Sequence, residues 1–435
     1  MLIDRLLAVP LPLRKGIVAA LIRARALSPE DMAAFARSQT SFYASFYEGF
    51  DTDDFTSLPI LSKTLVRDVP PYDLLATSHR DRVVYYAETT GSTGSPTPAF
   101  YTRGEFRSAR VLGLLSAHFQ ELRGLLTTHR ACVNGMAYGL TIAGMSFGDL
   151  LEFAGGLTAN VGSRSTLATP TRIARVIARL APVAVAATPI DFLSWMRILE
   201  EDHPERVDRV HASLKMLLSS AELCARSRVA RIEEHFGLRH VDVYACVEGF
   251  FTLACTCGEK HVLPAYHTEL FDADLKPIGP FGTGRLAFTN LVKRSTPMLR
   301  YLLDDWVTIR RSSCPLGFGT SVVPHGRYEL NVSLGDEQVN VEQIEDALFS
   351  HGLFGDYRAV VFDDHMELQV ERYAPRHDSE ARISEHFRAR FGLPAQVTFV
   401  PFGTITPYRE PRQSKPILKL EDRRSGSSQE TPEFL

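Results

Sequence analysis

The densest group of side chains able to do chemistry is a run of nine residues, Thr89-Thr90-Gly91-Ser92-Thr93-Gly94-Ser95-Pro96-Thr97. Its two glycines permit tight turns, and its hydroxyls and amides can converge on anionic oxygens. An apolar, strand-like stretch at 83–86 precedes it, which sets it apart from an ordinary Ser/Thr/Gly surface loop. It is not a Walker A loop, which needs Gly-Lys-Ser/Thr opening a helix. A second group, Cys255-Thr256-Cys257-Gly258-Glu259-Lys260-His261 with Cys314 further on, offers three thiolates and an imidazole at short spacing, a Cys₃His donor set for a structural zinc ion. Glu248 ends an apolar run, where a lone carboxylate needs a partner, and a metal is one. Asp304 and Asp305 are adjacent carboxylates that repel each other, so one of the two is expected to face solvent. Lysine is scarce: the chain has eight, and only Lys415 and Lys419 follow residue 327.

Composition bounds what can position these groups. The chain has 435 residues, 45% of them apolar and 23% charged, the balance of a soluble globular protein of two or three domains. Lys and Arg number 48 against 51 Asp and Glu, so there is no basic excess for a nucleic-acid partner. The uncharged stretch 131–148 contains Asn134 and several glycines and is no membrane span. The N-terminus mixes apolar residues with Asp4, Arg5, Arg14 and Lys15 and lacks a secretory pattern. Six sparse cysteines suit free or metal-bound thiols in the cytoplasm.

The first ~75 residues carry apolar positions at helical spacing, with a helix expected over 29–47 behind Ser28 as N-cap. Beyond residue 83, apolar runs at 83–86, 183–188, 216–220 and 241–244 alternate with helical stretches at 171–180, 190–201 and 227–236. That order predicts an α/β core with parallel sheet. From 255 to 323, short strands between Gly/Pro turns predict an antiparallel or barrel-like part. After the break at 324–326, a β-α-β-β-α-β order predicts a small α+β domain. The boundaries are therefore set at 1–326 for a large N-terminal domain, 327–424 for a small mobile one, and 425–435 for a disordered tail.

The nine-residue run resembles the phosphate loop of acyl-adenylating enzymes, and residues 55–420 resemble the phenylacetate–CoA ligase family within them. Leu58-Pro59-Ile60-Leu61-Ser62-Lys63 and Pro70-Pro71-Tyr72 look like the family's lead-in. Ser220-Ala221-Glu222 resembles its Gly-Ala-Glu element, and Tyr244-Ala245-Cys246-Val247-Glu248 its Tyr-Gly-x-x-Glu motif. Arg300-Tyr301-Leu302-Leu303-Asp304-Asp305 resembles Arg-Tyr-Arg-Thr-Gly-Asp, and Glu342-Gln343-Ile344-Glu345 a C-terminal helix signature. Departures stand beside these matches: Ser95 replaces a phosphate-loop lysine, and Ala245 replaces a glycine.

The resemblance implies an AMP-forming acid–thiol ligase. ATP would bind through Thr89, Thr90, Gly91, Ser92, Thr93, Gly94, Ser220, Ala221, Glu222, Tyr244, Asp305 and Arg327. Tyr244 would pack on adenine, Asp305 would bind the ribose, and Glu248 would hold Mg2+. Lys415 in Ser414-Lys415 matches the family's Gly-Lys site and would be catalytic with Glu248; Lys419 is the other candidate. Tyr138, Ala143, Gly144, Met145 and Ala245 would line an aromatic-acid pocket. Gly326-Arg327 resembles a hinge about which the small domain turns between adenylation and thiol acylation. Partners implied are ATP, an aromatic carboxylic acid and coenzyme A. A carrier-protein thiol or an amine as acceptor, and a degenerate nucleotide-binding member, stay open. A homodimer is also within expectation, and Cys255, Cys257, His261 and Cys314 would hold zinc.

Overall fold

The computed structural model describes residues 2–89, 96–335, 337–374, 377–411 and 419–425. Thr90, Gly91, Ser92, Thr93 and Gly94 of the anion-binding run, Lys415, and the tail from 426 lie outside the described residues. The chain forms two compact units, each of three segments: residues 1–124, 138–155 and 243–323, and residues 125–137, 156–242 and 324–435.

The first unit begins with helices. The single helix expected over 29–47 is two, Pro29–Gln39 and Ser41–Phe46, because Thr40 is extended (φ −128°, ψ 141°). A threonine can do this at little cost: its hydroxyl accepts the Tyr43 N–H at 3.1 Å and so caps the second helix, as Ser28 caps the first. Met32, Ala36, Tyr43 and Tyr47 bury their faces with Leu270, Leu286, Phe288 and Tyr301. Those four partners lie in a seven-stranded sheet of order Pro277–Gly279, Tyr266–Phe271, Gly282–Asn290, Tyr301–Arg311, Thr320–Arg327, Lys260–Val262, Thr252–Ala254. Its pairings are antiparallel at His267↔Thr289, Gly284↔Val307 and Ser321↔His261, as the short strands and Gly/Pro turns predict. A separate hairpin pairs Val83–Glu88 with Pro98–Thr102.

The second unit carries a sheet of order Leu157–Asn160, Ala131–Asn134, Ala184–Ala186, Met216–Ser220, Arg239–Val243, with parallel pairs such as Cys132↔Ala184 and Val185↔Leu217. Its middle strands are fully buried, which explains their mostly apolar lettering, with Asn134, Ser219 and Ser220 at the strand ends. Helices Pro170–Leu180 and Pro189–Asp202 each open on a capping threonine followed by proline, Thr169 and Thr188. The backbone packs closely: a Cβ added at Gly135 would lie 2.1 Å from Cη2 of buried Trp195. Residues after 324 add helices Val341–Phe349 and Glu380–Phe391. They also add a four-stranded sheet of order Ala395–Pro401, Met366–Arg372, Tyr357–Val361, Leu420–Asp422. The mixed α/β architecture matches the sequence expectation. Among the described residues, no helix is long and apolar enough to cross a membrane.

Candidate functional site

The hairpin brackets the Ser/Thr/Gly run 89–97. The Thr89 N–H donates to the Thr97 carbonyl at 3.1 Å, and the Thr97 N–H donates back to the Thr89 hydroxyl at 2.9 Å. The run therefore starts and ends at a clamped strand pair. A second anchor holds the return strand: the Phe100 N–H donates to Thr296 Oγ1 at 2.8 Å, and Ser295 Oγ donates to the Phe100 carbonyl at 2.7 Å. Glu105 secures that anchor by accepting the Arg294 and Ser295 N–H groups at 2.9 and 3.0 Å.

Glu248 is 1% exposed. A carboxylate so deeply withdrawn from water needs donors or a metal. Tyr301 supplies one donor, its hydroxyl lying 2.6 Å from Oε1, and the same hydroxyl sits 3.5 Å from Thr97 Oγ1. The chain Thr97–Tyr301–Glu248 thus links the end of the Ser/Thr/Gly run to the buried carboxylate. Burial first, and Glu248 second, push the Tyr301 phenol well above its ordinary range, so it stays a neutral donor. Tyr244 donates its hydroxyl to Asp305 Oδ2 at 2.6 Å. Asp304 takes the other direction and pairs with Arg285 at 2.6 Å, so the two adjacent carboxylates diverge to separate partners. Arg300 is a clamp: its guanidinium meets Glu269 at 2.9 Å and donates to the carbonyls of Thr56 and Leu58.

The expected acid-pocket residues divide. Met145 packs with Val247, Phe250, Tyr85 and Phe106 around Tyr101 and Ile142, an apolar cluster rich in aromatic rings. Gly144 is buried in helix Ala143–Ala154, whose first residue is Ala143. Ala245 is half-buried, and Tyr138 is 38% exposed.

Ser220, Ala221, Glu222 and Arg327 belong to the second unit. Ser220 closes strand Met216–Ser220, Ala221 turns at φ 69°, and Arg327 ends strand Thr320–Arg327. Glu222 is drawn into a buried ion cluster. Lys419 Nζ lies 3.1 Å from Glu222 Oε1, 3.2 Å from Glu345 Oε1 and 3.8 Å from Asp356 Oδ1. Arg228 reaches Glu222 at 3.2 Å and Glu345 at 3.6 Å. Burial pulls the Lys419 ammonium down, but Glu345 and Glu222 outweigh it and hold it above its ordinary range. Sequence reading singled out Glu222 and Lys419 but not Arg228 or Asp356. Arg228 is six residues from Glu222, but Glu345, Asp356 and Lys419 lie more than a hundred residues away, and no local spacing joins them.

The cysteine–histidine group does converge. The ligand atoms of Cys255, Cys257, His261 and Cys314 all lie within 4.8 Å of one another. Cys255 and Cys314 place their sulfurs 3.8 Å apart, and Cys257 Sγ is 3.3 Å from His261 Nε2. A tetrahedron with Zn–S bonds of about 2.3 Å has S···S edges of about 3.8 Å, whereas a disulfide needs about 2.05 Å. His261 Nδ1 contacts the Thr320 carbonyl at 3.1 Å, which leaves Nε2 to face the sulfurs. Lys15, missed from sequence, donates to the Leu316 carbonyl and lies 4.1 Å from the Phe318 ring centroid, tying an N-terminal helix to the same corner.

The ion cluster generates a direct expectation. Lys419→Ala leaves three buried carboxylates facing Arg228 alone and should cost about 3–5 kcal/mol of stability, as breaking a buried pair does. Urea unfolding measures this, and an unchanged midpoint would show that the cluster is solvated in solution.

With this geometry established, comparison gives the chain its relatives. No family model matches it. It is 25% identical over 279 residues to a phenylacetate–coenzyme A ligase of Thermus thermophilus, covering 61% of this chain and 58% of the relative. The Escherichia coli protein of that name gives 25% over 279 residues, covering 59% of each. The chain thus spans less than two thirds of the length of these relatives. In fold it is similar to 2-hydroxyisobutyryl-CoA ligase in the postadenylation state with R3-HIB-AMP (TM-score 0.72, 19% identity, 93% of this chain and 89% of that one). It is also similar to an anthranilate CoA ligase in complex with anthranoyl-AMP (TM-score 0.54, 14% identity, 78% of this chain and 67% of that one). Over the matched residues the chain is a relative of the phenylacetate–coenzyme A ligases, and its fold is that of adenylate-forming ligases.

Proposed function

We propose that the protein is an AMP-forming acid–CoA ligase acting on an aromatic carboxylic acid. The observation that carries this reading is the Thr97–Tyr301–Glu248 chain, which joins an anion-binding run to a buried carboxylate. In the first half-reaction an oxygen of the acid attacks the α-phosphorus of ATP and pyrophosphate leaves. In the second, the coenzyme A thiol attacks the acyl carbon, AMP leaves and a thioester forms. The first step brings two anions together, so it requires neutralising groups aimed where charge accumulates.

The residues divide that work. Thr89 to Gly94 would supply hydroxyl and amide donors to the phosphates. Tyr244 would pack on adenine, and its hydrogen bond to Asp305 fixes the carboxylate that would take the ribose hydroxyls. Tyr301 occupies Oε1 of Glu248, and a carboxylate with one oxygen so held suits a hard cation. Mg2+ bound there would neutralise phosphate charge. The aromatic substrate class is supported by the ring-rich cluster of Met145, Val247, Phe250, Tyr85 and Phe106. Ser220, Ala221, Glu222 and Arg327 would complete the nucleotide site, and Lys415 would pair with the acid carboxylate as the reaction proceeds. A turn of residues 327–424 about Gly326 (φ 114°) would separate the half-reactions, and it would have to open the Glu222–Lys419 contact. The six free thiols among the described residues fit a reducing compartment such as the cytoplasm.

The test is pyrophosphate release against benzoates, aminobenzoates and arylacetates, with and without coenzyme A. Thioester formation should require coenzyme A. Adenylate passing only to an amine or a carrier protein would redirect the reading. Glu248→Ala should lower kcat for acid-dependent pyrophosphate release by roughly 10²–10³, the cost of losing one well-placed electrostatic group. Full turnover by Glu248→Ala at ordinary magnesium would remove the assignment.

The Cys₃His group fits structural zinc by donor type and by spacing. About one zinc per chain should co-purify, since metal binding to such a site is part of the folding free energy. Cys314→Ser should lose the metal and lower Tm. Elemental analysis finding no zinc in fresh protein would leave four packed side chains and no metal site.

A further inference from the structure

Lys293 has no part in the roles above. Its side chain is 5% exposed, and Nζ has no hydrogen-bond partner among the described residues. Lys419 shows how this fold treats a buried ammonium it needs for stability: three carboxylates lie within 4 Å of it. Lys293 receives nothing comparable. Its Nζ lies 3.7 Å from the centroid of the Tyr101 ring, and the charged or titratable groups that act on it are Glu105, Glu248 and Cys246.

Glu105 and one oxygen of Glu248 are already committed. Glu105 accepts backbone N–H groups from Thr102, Arg294 and Ser295. Glu248 takes the Tyr301 hydroxyl. Burial first, then Glu248, push the Cys246 thiol far up, so it stays neutral. The ammonium's three donors therefore have no acceptor, a costly condition for a buried cation. The placement is built rather than incidental. Asn290 Oδ1 accepts the Lys293 N–H at 2.9 Å, and Asn290 Nδ2 donates to Tyr266 at 3.1 Å, which pins the backbone. Burial brings the amine down to about 8 while Glu105 and Glu248 act against it, so the group is mostly a cation at neutral pH.

We propose that Lys293 is an anion subsite of the Glu248 site, its ammonium taking an anionic oxygen of the bound substrate. For the ligand's identity this rests on the ligase reading, which offers two sources of that oxygen, the acid carboxylate and the ATP phosphates. Tyr101 places the subsite beside the ring-rich cluster of Met145 and Phe250.

Lys293→Met keeps the apolar stem and removes the charge, while Lys293→Arg keeps the charge. Calorimetric titration with phenylacetate, and separately with ATP and magnesium, should show at least tenfold weaker binding of one ligand to Lys293→Met, partly recovered in Lys293→Arg. The Tm of Lys293→Met should be equal to or above the parent's, because an unpaired buried charge is gone. Weakened phenylacetate assigns the carboxylate, and weakened ATP assigns a phosphate. Unchanged binding of both ligands overturns the proposal, as does a lowered Tm with unchanged affinities. Lys293-dependent binding in a protein that turns over no acid would sustain the subsite and sink the ligase reading. Turnover indifferent to Lys293→Met would do the reverse.

Discussion

A carboxylate almost wholly withdrawn from water is the constraint on which the first unit's arrangement depends. Burying a carboxylate is expensive unless it is partnered, so the fold aims a donor at Glu248. Tyr301 does so from the strand Tyr301–Arg311, and that strand is held from behind by the Arg300–Glu269 clamp. The hairpin that brackets the anion-binding run meets the same tyrosine through Thr97. Tyr301 and Asp305 lie on one strand, so that strand meets Thr97, Glu248 and Tyr244 together, and moving it would disturb all three contacts.

The second unit solves a similar problem differently. Glu222, Glu345 and Asp356 are buried together, and Arg228 and Lys419 neutralise them. Removing one partner of such a set is far more damaging than the set is stabilising. The cluster joins residues of segments 156–242 and 324–435. A turning C-terminal segment would have to exchange this cluster for something else, so its charges would set the energy of that motion.

Legibility followed sequence distance. The strand before the Ser/Thr/Gly run, the parallel α/β order and the helices and strands over 341–401 were readable because periodicity and turn residues are local. Val332–Leu334, by contrast, pairs with Glu337–Val339 outside the four-stranded sheet, and that sheet's Leu420–Asp422 strand was not expected. The Cys255-x-Cys257 and His261 spacing was readable, and Cys314, 57 residues beyond Cys257, joined it through the family resemblance of its Cys-Pro-Leu-Gly string. Thr40 was not readable as a break, since its hydroxyl competes with a helix that its neighbours favour. Lys419 with Glu222, 197 residues apart, and Lys293 beneath Tyr101 were invisible for another reason. Long-range charge placement leaves no periodic trace, and a lysine letter carries no sign of whether it is paired.

The central claim is that Tyr301 and Glu248 act as one unit in the proposed adenylation site. The most direct measurement is acid-dependent ATP–pyrophosphate exchange by Tyr301→Phe as magnesium is varied, with Tm recorded alongside. Loss of a hydrogen bond to a charged group, about 1.5–3 kcal/mol, should reduce exchange by roughly ten- to a hundredfold and raise the magnesium requirement while Tm stays near the parent's. Exchange at the parent's rate with the parent's magnesium dependence would contradict the account.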